Sequence, residues 1–141
     1  MTTKRSHLIA KVEFAVIGET LVPDGITAML GIPPTRSFMK GDIVSPRPGG
    51  QRPWGLWALH FQGNDIQEIA VQLLDALRGK EAAIRTLHET PEVEATIGIW
   101  WEPRHGYGGF SLSSATLAQL CALGTRIDVY FPGYQEPGQD T

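Results

Sequence analysis

Residues 8–17 alternate between apolar and polar positions, with Leu8, Ala10, Val12, Phe14 and Val16 on one side and Lys11 and Glu13 on the other, which predicts a half-buried first strand. Pro23 stands where a first helical residue belongs, Asp24 sits in the first turn, and Ile26, Met29 and Leu30 form an apolar stripe that Gly31 ends. Pro33 and Pro34 cannot continue a helix, so a short second strand is expected to begin at Phe38-Met39-Lys40, before a turn at Gly41-Asp42. Residues 45–53 have no periodicity and much Pro and Gly, which predicts a mobile loop between two strands. The third strand, residues 54–61, sets Trp57, Leu59 and Phe61 against Leu56, Ala58 and His60.

Asn64 or Asp65 caps the longest helix, whose positions Ile66, Ile69, Ala70, Leu73, Leu74 and Leu77 share one face at helical spacing. Gly79 ends or kinks it, and residues 81–88 form another turn or two with Ile84 and Leu87 inward. A strand over residues 94–101 places Ala95, Ile97, Ile99 and Trp101 on one face. Ser113 then caps a helix running through Leu117, Leu120 and Cys121 to Leu123, where Gly124 stops it, and a last strand over residues 126–131 is expected to bury Ile127, Val129 and Phe131.

Two stretches repeat one plan. Leu21 lies five residues before Ile26 and Leu112 five before Leu117, each at the spacing of a hydrophobic staple, and Leu30-Gly31 and Leu123-Gly124 close the two helices. The pattern predicts a single α+β domain over residues 1–131, with a largely antiparallel sheet covered by helices in the order β-α-β-β-α-β-α-β and two weakly repeated βαβ-like halves. Residues 132–141 read as a frayed tail.

With 141 residues, 42% of them hydrophobic and 19% charged, the chain has the size and balance of one globular domain. A formal charge of −3 with scattered arginines gives no basic field for a nucleic-acid backbone. Charges break the first residues before a signal-peptide core forms, and no run has the length of a membrane-spanning helix, so the expectation is a soluble, cytoplasmic protein.

Candidate chemistry is sparse. Histidines 7, 60, 88 and 105 show no metal-ligand spacing, and neither a metal nor a cofactor is expected. His60 reads as a hydrogen-bonded core or edge residue with no carboxylate near it in sequence to orient it. The lone Cys121 reads as a small buried residue rather than a nucleophile. Gly106-Tyr107-Gly108-Gly109 lacks the Lys-Ser or Lys-Thr of a phosphate loop, and Lys40-Gly41-Asp42 reads as a turn whose Asp caps local backbone donors. The densest mixture of aromatic, acidic, cationic and imidazole groups is Trp100-Trp101-Glu102-Pro103-Arg104-His105-Gly106-Tyr107. Its favoured reading is an aromatic pair with one ring on each sheet face, followed by solvated charges.

Phe14, Pro23 before Ile26-Thr27, Leu30-Gly31-Ile32, Pro34-Thr35, Lys40-Gly41-Asp42, the strand from Trp54 to Leu59, the leucine helix, Leu123-Gly124 and Ile127-Asp128-Val129-Tyr130 occur together in order. In this the chain resembles the bacterial family known as domain of unknown function 4279, over nearly its whole length. The resemblance brings no catalytic residues with it and implies a protein-binding role of the immunity type. His60 and Phe61 depart from the small polar residues often found there in the family. The leading expectation is therefore a non-enzymatic binding domain holding a protein partner on an exposed face with Trp54, Trp57, Trp100, Arg104 and Tyr107. The rival is a small-molecule-binding or hydrolytic protein with a pocket near residues 100–107, using Glu102 and His105 as acid and base and Arg104 to hold an anion. A homodimer joined through the tryptophan strand is the third.

Overall fold

Alternation along Ala10–Gly18 produces the central strand, β1, with Val12, Phe14 and Val16 fully buried on one face. The computed structural model describes residues 10–102 and 108–131. Strand β1 is flanked by β3 (Gly55–Gly63) and β4 (Val93–Trp101), both antiparallel to it. Beyond β3 lies β2 (Arg36–Phe38), antiparallel, and beyond β4 lies β5 (Arg126–Tyr130), parallel, giving the order β2-β3-β1-β4-β5.

The helices start and stop where local chemistry dictates. Helix α1 (Pro23–Leu30) begins with a proline, whose missing N–H would have no partner in a first turn, and ends at Gly31 with φ 70°. The Gly31 N–H donates to the Thr27 carbonyl at 2.7 Å, and Leu21 and Ile26 are both buried, as a staple requires. At the start of α2 (Ile66–Ala76) the Asp65 carboxylate accepts from the Gln67 N–H at 2.9 Å, so Asp65 rather than Asn64 is the cap. After Gly79 comes a separate helix, α3 (Glu81–His88), with Ile84 and Leu87 buried. The Ser113 hydroxyl accepts from the Thr116 N–H at 3.1 Å and caps α4 (Ser114–Ala122).

All four helices contribute to one core on one side of the sheet. Ile26 and Leu30, the α2 stripe, Ile84 and Leu87, and Leu120 meet Val12, Phe14, Val16, Trp57, Leu59, Ala95, Ile97 and Ile99 there. The expected α+β fold with a mainly antiparallel sheet is the one observed. Strands β1 and β2 both run antiparallel to β3, so β1-α1-β2 is a crossover that straddles β3, and β3-α2-α3-β4 straddles β1 in the same way. This is the split β-α-β-β-α-β connectivity of ferredoxin-like folds. The second βαβ half, β4-α4-β5, joins neighbouring strands.

Several local expectations change. Strand β2 begins at Arg36, because Pro33 and Pro34 already extend the chain and the Thr35 N–H donates to the Ala58 carbonyl at 2.7 Å. The segment expected as a mobile loop is the end of a hydrogen-bonded hairpin. Gly41 N–H donates to the Arg52 carbonyl and Arg52 N–H to the Asp42 carbonyl, both at 2.8 Å, and Ile43 bridges Gln51. At its base the Asp42 carboxylate accepts from the Met39 N–H at 2.8 Å, the turn expected at Lys40-Gly41-Asp42.

Cys121 is exposed, as is Leu117, because the buried stripe of α4 runs through Thr116, Leu120 and Leu123. Val129 and Phe131 are exposed because β5 is an edge strand while α2 and α3 pack over β1, β3 and β4. The tryptophan strand β3 lies inside the sheet, which removes it as a dimer edge. Among the described residues no helix is long and apolar enough to cross a membrane. The expectations for His7, the strand start at Leu8 and residues 132–141 lie outside the described residues.

Candidate functional site

Because the helices share one side, no helix among the described residues covers the other face of the sheet. Residues opposite one another across antiparallel strands point the same way, so the register defines what that face displays. Lys11 stands between Gln62 and Trp100, and Tyr130 lies beyond Trp100. Glu13 stands between His60 and Gly98, and Asp128 lies beyond Gly98. Further along, Ala15, Leu56 and Ala58 form a small second apolar cluster with Ile17 and Phe38. The Arg52 guanidinium lies 4.0 Å from the Phe38 ring centre.

Glu13 is 2% exposed, an unusual position for a carboxylate, and is held by side chains from two strands. Arg36 reaches it side-on, Nε to Oε2 at 3.2 Å and Nη2 to Oε1 at 3.3 Å. His60 Nδ1 lies 3.4 Å from Oε2, and His60 Nε2 lies 3.0 Å from the Gln62 amide nitrogen. A neutral ring donating through Nδ1 to the carboxylate and accepting at Nε2 from the amide satisfies both contacts. The Thr35 hydroxyl accepts from the His60 N–H at 3.0 Å and fixes the strand beneath the ring.

Trp100 is half-buried and stacks on Tyr130 with ring centres 4.8 Å apart and planes 21° from parallel. The Lys11 ammonium lies 4.3 Å from the Trp100 ring centre. Burial pushes Lys11 below the ordinary lysine range, with Glu13 opposing the shift and Arg36 adding to it. Gly98 makes the arrangement possible, since a Cβ there would stand 2.5 Å from Cζ3 of the Trp100 indole. The indole therefore lies flat over the strand.

Gly98→Ala is accordingly expected to displace the Trp100 ring and alter the near-ultraviolet circular dichroism of the Trp100 and Tyr130 pair. Since the obstacle is the far end of one side chain, the unfolding free energy should change by no more than about 1–2 kcal/mol. An unchanged near-ultraviolet spectrum would contradict the flat packing.

A family model described as a domain of unknown function (DUF4279) matches residues 7–132, which include every strand and helix described above. The chain belongs to this family. Neither a curated protein nor a solved structure matches it.

Within this DUF4279 fold the residues singled out in the sequence separate. Trp57 is fully buried, its indole Nε1 donating to the Thr27 hydroxyl at 3.0 Å, so it belongs to the core and is withdrawn from the binding set. Trp54 is 46% exposed but precedes Gly55, which pairs with Gly18, whereas Trp100 pairs with Lys11. The two tryptophans stand at opposite ends of the sheet, roughly 25 Å apart along the strand direction. Trp100 faces the uncovered side and Trp101 the helix side, where it meets Phe110 edge-on at 5.9 Å, so one ring lies on each face. Glu102 is half-buried just past β4, and Arg104, His105 and Tyr107 lie outside the described residues.

Glu13, Lys11 and Tyr130 are not among the site residues expected from sequence, and Arg36 is expected there only within a polar cluster with Thr35, Lys40 and Asp42, whereas it pairs with Glu13. His60 does have an orienting carboxylate, contributed by a residue 47 positions earlier. The available signal was Lys11 and Glu13 alternating with apolar residues in a central strand, where charges are uncommon unless paired. Among the described residues no group of three His, Cys, Asp or Glu is placed to hold a metal ion. A cavity lined by Leu74, Leu77, Arg78, Glu81, Gln119, Ala122 and Leu123 lies in the helical layer, on the far side from Glu13 and Trp100.

Proposed function

We propose that this DUF4279 protein is a non-catalytic binding protein that holds a protein partner on the uncovered face of its sheet, acting as an immunity-type protein in the bacterial cytoplasm. The observation that carries this reading is the stacked Trp100 and Tyr130 pair with Lys11 against it, on a face that no helix of the described chain covers. Rigid aromatic rings are the usual energetic anchors of protein interfaces, since they cover large area at small cost in side-chain entropy. The Glu13 cluster supports the same reading: both carboxylate oxygens are engaged by Arg36, which suits a rigid, charge-neutral platform better than a proton-transfer group.

The test is co-expression with the product of the adjacent reading frame, followed by calorimetry. Trp100→Ala and Tyr130→Ala are each expected to weaken the complex by about 2 kcal/mol, roughly thirtyfold, while Gln119→Ala in the helical layer leaves it unchanged. Loss of affinity from Gln119→Ala alone, with both aromatic variants binding normally, would remove the uncovered face from the account.

A further inference from the structure

The two edges of the sheet are built differently. Strand β2 is three residues long, follows Pro33-Pro34 and runs into the hairpin, which are ordinary protections against pairing with another chain. Strand β5 has five residues without Pro, Gly or Lys and, among the described residues, a partner on one side only. Ile127 is half-buried against the core, but Val129 at 45% on the helix side and Tyr130 at 44% on the other are exposed, and Phe131, just past the strand, is 56% exposed. The strand's charges, Arg126 and Asp128, are opposite in sign, so an edge of this kind can still template a further strand of matching charge order.

The charges of β5 specify which strand. Arg126-Ile127-Asp128 reads cation, apolar, anion, and this order is complementary to itself when reversed. An antiparallel pair of β5 strands with Ile127 on a two-fold axis sets Arg126 opposite the partner subunit's Asp128, twice. Within one copy Arg126 already bonds Glu94 of β4 at 2.7 Å and Asp128 at 3.2 Å, so the facing charges would extend an existing ion-pair network. The neighbouring register with Asp128 on the axis places like charges directly opposite, and the one with Val129 on the axis adds no counterpart from the second copy to either charge.

We propose that β5 pairs with β5 of a second copy of this chain about a two-fold axis through Ile127, making one continuous ten-stranded sheet. The interface is isologous, and it leaves the uncovered faces of the two copies side by side on the same surface of the sheet. This assembly is independent of the partner-binding reading, because it uses the sheet edge.

Sedimentation of the full chain over a concentration series should give a dimer that dissociates on dilution. Asp128→Arg and Arg126→Asp each place like charges opposite one another and should raise the dissociation constant at least tenfold, with far-ultraviolet circular dichroism confirming that each folds. Mixing the two variants should restore the dimer as a heterodimer, since every facing pair is again opposite in sign. In a Cys121→Ser background, Ile127→Cys should form a disulfide-linked dimer on mild oxidation and Val129→Cys should not. A wild-type chain that stays monomeric throughout, a mixture of the charge variants that stays monomeric, or cross-linking by Val129→Cys in place of Ile127→Cys would each overturn the proposal.

Discussion

Replacing Trp57 by alanine should lower the unfolding free energy by about 3–5 kcal/mol, the range for deleting a large aromatic side chain from a packed core. Trp57 has no exposed surface, meets Phe14 edge-on with ring centres 6.3 Å apart, and joins β3 to α1 through its hydrogen bond to Thr27. Its removal leaves a void between the sheet and α1 and strands the Thr27 hydroxyl. Trp57→Phe keeps an aromatic ring in the site and loses the indole donor, so it should cost less, about 1–3 kcal/mol. Trp54→Ala, at a position 46% exposed, should stay within about 0.5 kcal/mol of the parent. Denaturant midpoints followed by far-ultraviolet circular dichroism measure all three. Equal midpoints for Trp57→Ala and Trp54→Ala would show that the helix layer does not pack on β3 as described.

The second large effect concerns Glu13. Arg36→Met takes away the side-on guanidinium and leaves a carboxylate of 2% exposure with His60 as its remaining hydrogen-bond partner. Breaking a fully buried ion pair costs about 3–5 kcal/mol. The Arg36 side chain is half exposed, so about 2 kcal/mol is expected here. Glu13→Gln combined with Arg36→Met removes the buried charge together with its partner and should recover part of that loss. A double-mutant cycle over the four proteins should therefore return a coupling of about 1–3 kcal/mol. Additive effects would mean that the pair contributes nothing beyond its separate members, and the platform reading of Glu13 would lose its support.

Features written into short stretches of sequence could be read from it. Helix α2 was legible because six apolar residues recur at helical spacing after Asp65, and α1 because Pro23 and Gly31 mark its ends without any distant contact. The faces of β3 followed from strict alternation: Trp57 and Leu59 enter the main core, while Leu56 and Ala58 lie on the other side.

What depended on strand order was hidden. Val129 looks like a core residue from its alternation, yet β5 is an edge, and only the topology states that. Trp57 and Trp100 are equally aromatic strand residues, but one faces the helices and the other the uncovered side, a difference fixed by pairing with β1. The Glu13 cluster joins residues 23 and 47 positions apart, so no local motif announces it. The hairpin before β3 was hidden for another reason: its order comes from backbone bonds across the turn, to which Pro- and Gly-rich composition is no guide.

On the proposed function, the uncovered sheet face rather than the helical layer receives the partner. Amide hydrogen exchange of the chain with and without the product of the adjacent reading frame tests it most directly, because both faces are read in one experiment. The account predicts added protection in β4 and β5 around Trp100 and Tyr130 and at the adjoining start of β1, with α2 and α4 unchanged. Protection confined to α2, α3 and α4 would contradict it.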